Sequence, residues 1–341
     1  MKAKKIILII VCALIVVTAA VIGLYFVFSA HRNKVPELNH EKLRENPINY
    51  STVYVVGQAP YTDLAVFETP IGLEYYWREH HTGGNGMEMI LQRTKDGKYI
   101  ILSEPLPGMS NAEVLYGKGI QVSDLTLEQL QKVNLMYGFT DEDGVQIYAG
   151  AAEDEIPSVS VVTLEEALQY FSAPNRITAR IYLRFLDEAQ IPQAEEALTN
   201  VYNAVEQSAM LDKVVYCPLG DADAAAADKA CPDLIRAATN DEAKALLRDS
   251  RSDTVTEGLP YGVIYEKANS QFASEKFIHY TRNLGLAIVL SDVSADDVAE
   301  LRSYGVTAIA TDKVADTIKI IQDAKKAERE AKQTADSTAQ P

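Results

Sequence analysis

Apolar positions along this chain fall into short β-branched runs separated by stretches with helical spacing, and the two kinds alternate over most of its length. Val53–Val56 reads as a strand, followed by a helix with Leu73, Tyr76 and Trp77 on one face. Two apolar runs then flank Thr94-Lys95-Asp96-Gly97, the composition of a β-hairpin. Further strands are predicted at Ile177–Phe185, Lys213–Cys217, Pro232–Ala237, Tyr261–Tyr265, Leu286–Leu290 and Val306–Ala310. The helices that follow them are predicted at Ala189–Ser208, Asp221–Lys229, Asp241–Arg248, Ala273–Asn283, Ala295–Tyr304 and Val314–Asp323. Counting the first arm of the hairpin, eight parallel-type strands each lead into a helix, which predicts an α/β fold, a (β/α)8 TIM-type barrel over residues 51–324. A doubly wound open sheet is the alternative.

Residues 105–162 interrupt the alternation. They hold one predicted helix, Leu125–Val133, announced by Ser123, Asp124 and Thr126, and are otherwise rich in turns. An insertion after the second strand belongs at the rim of a barrel, over its mouth.

The ends of the chain read differently. Ile6 to Ala30 contains no charged residue and is long enough to span a bilayer. Lys2, Lys4 and Lys5 precede it, which keeps residues 1–5 cytoplasmic. Phe28-Ser29-Ala30 is a poor cleavage site, so an uncleaved transmembrane helix over 6–30 is preferred to a signal peptide. Both readings place the rest of the chain outside the cytoplasm, and the preferred one makes it a single-pass protein of the cell membrane. Residues 31–50, polar and carrying Pro36 and Pro47, read as a linker. Residues 325–341 read as a charged helical extension ending in a disordered tail.

Composition narrows the partners. The formal net charge of −16 excludes nucleic acid, whose phosphates need a basic surface. The membrane is the partner indicated by the N-terminal run, and no protein partner is identified. Cys12 lies inside the apolar run, while Cys217 and Cys231 fall at opposite ends of a barrel, too far apart for a bridge. Both are expected to be free thiols.

The hairpin carries the chemistry. Strand, Thr-Lys-Asp-Gly, strand, acidic residue and Pro105 in that order resemble the glycerophosphodiester phosphodiesterase family. Asp124-Leu125-Thr126-Leu127, Ile156-Pro157 with Thr163-Leu164-Glu165-Glu166, and Gly305-Val306-Thr307-Ala308-Ile309-Ala310-Thr311-Asp312 match further landmarks in order and spacing. The resemblance covers Val53 to Ala324 and implies metal-assisted hydrolysis of glycerophosphodiesters. It departs at the functional positions. The opening His-Arg-Gly is replaced by the segment containing Gln58, and the Glu-x-Asp metal pair is reduced to Glu88 with Ile90. Ser103 and Glu104 stand where the family has His-Asp, and Tyr182-Leu183-Arg184 stands for Glu-x-Lys.

A turn centred between Lys95 and Asp96 would set Glu88 opposite Ser103 in the hairpin. Strand alternation directs Arg180, Tyr182 and Arg184 into the barrel and Ala179, Ile181, Leu183 and Phe185 under the helices. Arg184 and Glu88 are therefore expected to meet inside the mouth. Serine cannot relay a proton near neutral pH as imidazole does, and isoleucine cannot ligate a divalent cation. The expectation is a degenerate barrel that binds an anionic phosphodiester or polyol phosphate through Arg184, Glu88 and Tyr182 without a cofactor, or that binds a protein partner. Glu88 is the residual metal candidate. An active phosphodiesterase using Glu88, Glu104 and a Ca²⁺ or Mg²⁺ ion is the competing class, and a surface scaffold is the third.

Overall fold

The computed structural model describes residues 35–49, 53–58, 69–80, 83–103, 110–138, 145, 148, 150–152, 155–176, 178–187, 194–252 and 258–338. The β-branched runs form strands wherever alternate residues can be buried on both faces. Ten strands are present among the described residues: β1 Tyr54–Gly57, β2 Gly86–Arg93, β3 Tyr99–Ile101, β4 Val162–Thr163, β5 Arg180–Phe185, β6 Val214–Tyr216, β7 Ile235–Arg236, β8 Val263–Lys267, β9 Ala287–Ser291 and β10 Ala308–Thr311. Eight of them run parallel in the order β7-β6-β5-β2-β1-β10-β9-β8. A single bridge between Ala237 and Val263 joins the two ends of that path, so the sheet is a nearly closed barrel and not a doubly wound open sheet.

Side-chain alternation sorts the barrel into two apolar layers. Ile181, Leu183 and Phe185 lie in the outer layer beneath the helices, as the strand pattern requires. Tyr54, Val56, Tyr182, Val215, Val263 and Val289 fill the interior. Ala237, Ala287, Ala308 and Ala310 face the same space, and their small side chains make room for the tyrosines. Tyr54 and Tyr182 share a hydrogen bond of 2.6 Å, which satisfies both hydroxyls in a dry interior.

The helices end close to where the sequence puts them, with shorter strands between. The long helix after β5 runs Ala194–Gln207, and the following ones are Asp221–Ala230, Asn240–Ser252, Glu275–Asn283 and Val298–Ser303. The last helix continues from Val314 to Thr338, beyond the point where the charged tail was expected to fray. Arg302 pairs with Glu328 and holds the extension against the preceding helix.

The hairpin register differs from the expectation by one residue. Leu91 pairs with Ile101, Gln92 with Ile100 and Arg93 with Tyr99. The cause is the turn. Thr94 N donates to Lys98 O at 2.8 Å, which leaves a three-residue loop, Lys95-Asp96-Gly97. Gly97 adopts φ +77, the left-handed position that such loops need. Because the strand period is two, this shift takes Ser103 away from Glu88.

The insertion packs as a satellite on the second arm of the hairpin. Ile100 and Leu102 join Val122, Leu125, Leu130, Val133 and Val159 in a separate core. The expected helix Leu125–Val133 is only Leu127–Leu130, preceded by the 3₁₀ turn Val122–Asp124. Thr126 and Gln129 form its capping box, and Asp96 of the hairpin accepts from Leu127 N at 3.0 Å.

Residues 35–49 of the segment read as a linker form the floor of the barrel. Asn46 donates to Gly262 O at 2.7 Å and accepts from Ile48 N at 3.0 Å. Arg180 donates to Pro47 O at 2.8 Å, and Asn283 donates to Glu37 O at 2.6 Å. Ile48 is completely buried among the interior residues. Polar composition suggested an extended spacer, but asparagine side chains brace backbone as readily as they face water. The transmembrane helix expected at 6–30 lies outside the described residues. Among the described residues no helix is long and apolar enough to cross a membrane.

Candidate functional site

The C-terminal ends of the barrel strands surround a cavity of about 350 Å³. Its polar residues are Gln58 just after β1, Glu88 on β2, Arg184 on β5, Tyr265, Glu266 and Lys267 on β8, and Ser291 on β9.

Local packing fixes the start of this arc. Tyr76, from the helix Pro70–His80, donates to Gly86 O at 2.7 Å and accepts from Gly57 N at 3.1 Å, so one hydroxyl pins β1 to β2. The ring lies so close that a Cβ on Gly57 would sit 2.6 Å from it, which is why that strand end is glycine. Gln58 N then donates to Thr311 O at 3.0 Å, fixing the backbone from which the Gln58 side chain reaches into the mouth.

Glu88 is the centre of the site. Its side chain is only 4% exposed, and three groups share its two oxygens. Arg184 Nε donates to Oε1 at 2.5 Å. Gln58 Nε2 and the Tyr265 hydroxyl donate to Oε2 at 3.3 and 3.4 Å. In the sheet, Glu88 is registered with Tyr182 and Ile90 with Arg184. Arg184 therefore starts one rung above Glu88 and reaches back, because its own rung offers only isoleucine. The guanidinium is the group with an open side, at 36% exposure, so its remaining donors can reach a ligand.

Burial and the Glu88 charge push the Tyr265 phenol well above its usual range, so it is a neutral donor at all ordinary pH values. Cys217 lines the same cavity. Burial and then the nearby Glu88 carboxylate push its thiol up, and it stays protonated and unreactive. Cys217 and Cys231 are both free and buried. Burial pushes the Cys231 thiol to about 12.

The sequence-derived residues divide. Glu88, Arg184 and Gln58 come together. Tyr182 does not reach the mouth: it is fully buried one layer down, with its hydroxyl on Tyr54 and its ring against Tyr265 at 5.6 Å. Ser103 is buried beside the hairpin and does not line the cavity. Glu104 lies outside the described residues. Tyr265, Lys267 and Ser291 were not singled out from sequence. The signal was present for the first two, since alternation along β8 puts Val263, Tyr265 and Lys267 on one face.

Could this arrangement hold the divalent cation that the resemblance implies? Ca²⁺ and Mg²⁺ take about six to eight oxygen ligands from carboxylates, carbonyls and water. Here two carboxylates line the cavity, Glu88 and Glu266, and both oxygens of Glu88 already accept hydrogen bonds. No group of three or more His, Cys, Asp or Glu suited to a metal occurs among the described residues. The donor set does not fit the ion. What the arrangement offers is a half-exposed guanidinium, anchored from behind by a buried carboxylate, facing a cavity edged by hydroxyl and amide groups.

Solved structures share this architecture. The glycerophosphodiester phosphodiesterase domain of an uncharacterised protein from Mycobacterium tuberculosis aligns with a TM-score of 0.59 and 16% identity, over 78% of this chain and 98% of that one. A glycerophosphodiester phosphodiesterase from Agrobacterium tumefaciens gives 0.57 and 14%, over 79% and 100%. A phosphodiesterase from Oleispira antarctica, solved with its product sn-glycerol-3-phosphate, gives 0.54 and 13%, over 80% and 96%. No protein-family model matches the sequence, and no curated protein is similar to it. The barrel therefore has the fold of the glycerophosphodiester phosphodiesterases.

Proposed function

We propose that this chain is a degenerate member of that phosphodiesterase family, one that binds an anionic phosphodiester or polyol phosphate and does not hydrolyse it. The observation that carries the reading is the Arg184–Glu88 contact at 2.5 Å. Where the resemblance calls for a cation held by carboxylates, a guanidinium is held by a carboxylate. A fixed guanidinium supplies positive charge toward a phosphate but no metal-bound nucleophile. On this reading, Gln58 and Ser103 stand where the resemblance puts the family's two catalytic histidines.

The N-terminal apolar run serves, in this reading, as a membrane anchor with the barrel outside the cytoplasm. The floor segment at residues 35–49 follows that run directly, so the floor faces the membrane and the mouth opens away from it. Protease added to intact cells should then remove the barrel.

The competing reading is a working hydrolase, favoured by the activities named for the fold neighbours. One experiment separates the two. Purified full chain is incubated with glycerophosphocholine, with and without Ca²⁺ or Mg²⁺, and its melting is followed with glycerol 3-phosphate. The expected result is no turnover, together with a thermal shift from glycerol 3-phosphate that does not depend on divalent cation. Steady turnover that disappears in Glu88→Ala would overturn the proposal.

A further inference from the structure

The floor segment, residues 35–49, holds the barrel by side chains. Its own backbone hydrogen bonds close within it, as from Arg44 N to Glu41 O and from Asn49 N to Asn46 O. Among the described residues, no backbone-to-backbone hydrogen bond joins it to a strand or helix of the barrel. The hold is made instead by Asn46 on Gly262 O, by buried Ile48, and by Arg180, Arg282 and Asn283 reaching down from the barrel. A segment attached in this way can leave without breaking a sheet or a helix.

One of these contacts opposes docking. Arg282 is 5% exposed. Its Nη1 donates to Asn49 Oδ1 and, at 2.7 Å, to Thr307 Oγ1, while its buried Nε has no partner. No carboxylate is paired with it among the described residues. Burial pushes the guanidinium down to about 10, as for a cation that has lost water without gaining a counter-charge. The docked floor gains from burying Ile48 and loses from drying Arg282, so docked and lifted states lie closer in free energy than Ile48 alone would set them. The floor also meets the mouth. Tyr54 donates to Ile48 O at 3.4 Å and accepts from Tyr182 at 2.6 Å. The Tyr182 ring lies 5.6 Å from that of Tyr265, whose hydroxyl donates to Glu88 at 3.4 Å. Three tyrosines thus form a column through the barrel interior, from a floor carbonyl to the site carboxylate. Strand β1 is a second connection, with Tyr54 at its lower end and Gln58, on Glu88, just past its upper end.

We propose that residues 35–49 are a strap with a docked and a lifted state, and that its docking is coupled to the occupancy of the mouth. Lifting takes the Ile48 carbonyl from Tyr54, loosens Tyr182 beneath Tyr265, and frees the lower end of the strand that carries Gln58. An anion on Arg184 that also engages Tyr265 or Gln58 favours the docked strap, and by linkage the docked strap favours the anion. The ligand half of this rests on the anion-binding reading above; the strap itself does not. The strap is the part of the barrel nearest in the chain to the N-terminal apolar run, so a displacement at that end is passed to the mouth.

The test is hydrogen exchange on the full chain, comparing peptides from residues 35–49 with peptides from β9 and β10. The floor should exchange faster by roughly tenfold or more. Arg282→Met should slow floor exchange by about tenfold, because a buried cation is replaced by an apolar chain. Thr307 still donates to Asn49 Oδ1 at 3.1 Å, so the substitution orphans no polar group. An arginine that merely braced the floor would give the opposite sign. Glycerol 3-phosphate should slow floor exchange by about fivefold, and Tyr182→Phe should bind it yet lose most of that slowing. Floor exchange as slow as that of β9, or faster exchange in Arg282→Met, refutes the strap. Glycerol 3-phosphate that raises the melting temperature without slowing the floor refutes the coupling and leaves the anion site standing. An undiminished effect in Tyr182→Phe overturns the tyrosine column. If glycerol 3-phosphate does not bind, the anion reading falls, and the coupling is decided by Tyr265→Phe alone. That variant should speed floor exchange by about fivefold, and an unchanged floor refutes the coupling.

Discussion

Replacing Glu88 by glutamine tests the site from its centre. The substitution keeps the size and hydrogen-bonding capacity of the side chain and deletes one charge. Glu88 is 4% exposed and holds Arg184 at 2.5 Å, so the native contact is charge-assisted and largely shielded on the acid's side. Removing one partner of a fully buried pair costs about 3–5 kcal/mol. Arg184 is 36% exposed and recovers part of its hydration, which reduces the loss to roughly 1–3 kcal/mol. For a domain of this size that is a fall in melting temperature of about 2–5 °C. Ligand binding should move the other way. A phosphate on the open side of the guanidinium would lie about 6 Å from the Glu88 charge, and at an effective dielectric constant of ~20 the repulsion is about 2–3 kcal/mol. Its removal should tighten glycerol 3-phosphate by roughly ten- to a hundredfold. Differential scanning fluorimetry with and without inorganic phosphate and glycerol 3-phosphate reads both effects. A Glu88→Gln protein as stable as its parent, and gaining nothing from either anion, would refute the paired-charge site.

Two further outcomes follow from the fold. Ile48→Ala should lower stability by about 2–5 kcal/mol in urea unfolding, because Ile48 fills the barrel floor at 0% exposure; a loss within ~0.5 kcal/mol would mean the segment is a spacer after all. The buried phenols of Tyr76, Tyr182, Tyr216 and Tyr265 are all pushed up from 10.0 by burial, and the Cys231 thiol from 9.0 to about 12. The native state therefore keeps protons that the unfolded chain releases, so this stability is complete below pH 9 and is lost as pH rises above it. In an alkaline titration, the phenolate absorbance of these tyrosines should emerge together with the loss of circular dichroism. Reversible ionisation near pH 10 with the fold intact would contradict that burial.

The eight-strand alternation was legible in the sequence because period-two and helical patterns are local properties, and most strands here are buried on both faces. The inward direction of Glu88 and Arg184 was legible for the same reason: alternation needs only the strand's identity and one buried face. The free state of Cys217 and Cys231 followed from their positions along the barrel. What depended on backbone geometry between elements was not legible. A left-handed Gly97 lengthened the hairpin loop by one residue and moved Ser103 away from Glu88. Asparagines that read as linker composition brace the floor, because a side-chain amide serves water and a carbonyl equally well. Tyr182 faces inward as the pattern says, yet the tertiary structure sets it a layer too deep for a ligand, beneath Tyr265. Sequence pattern fixes direction, inward or outward, one residue at a time. Depth, register and enclosure depend on where distant strands stop, and only the closed barrel decides that.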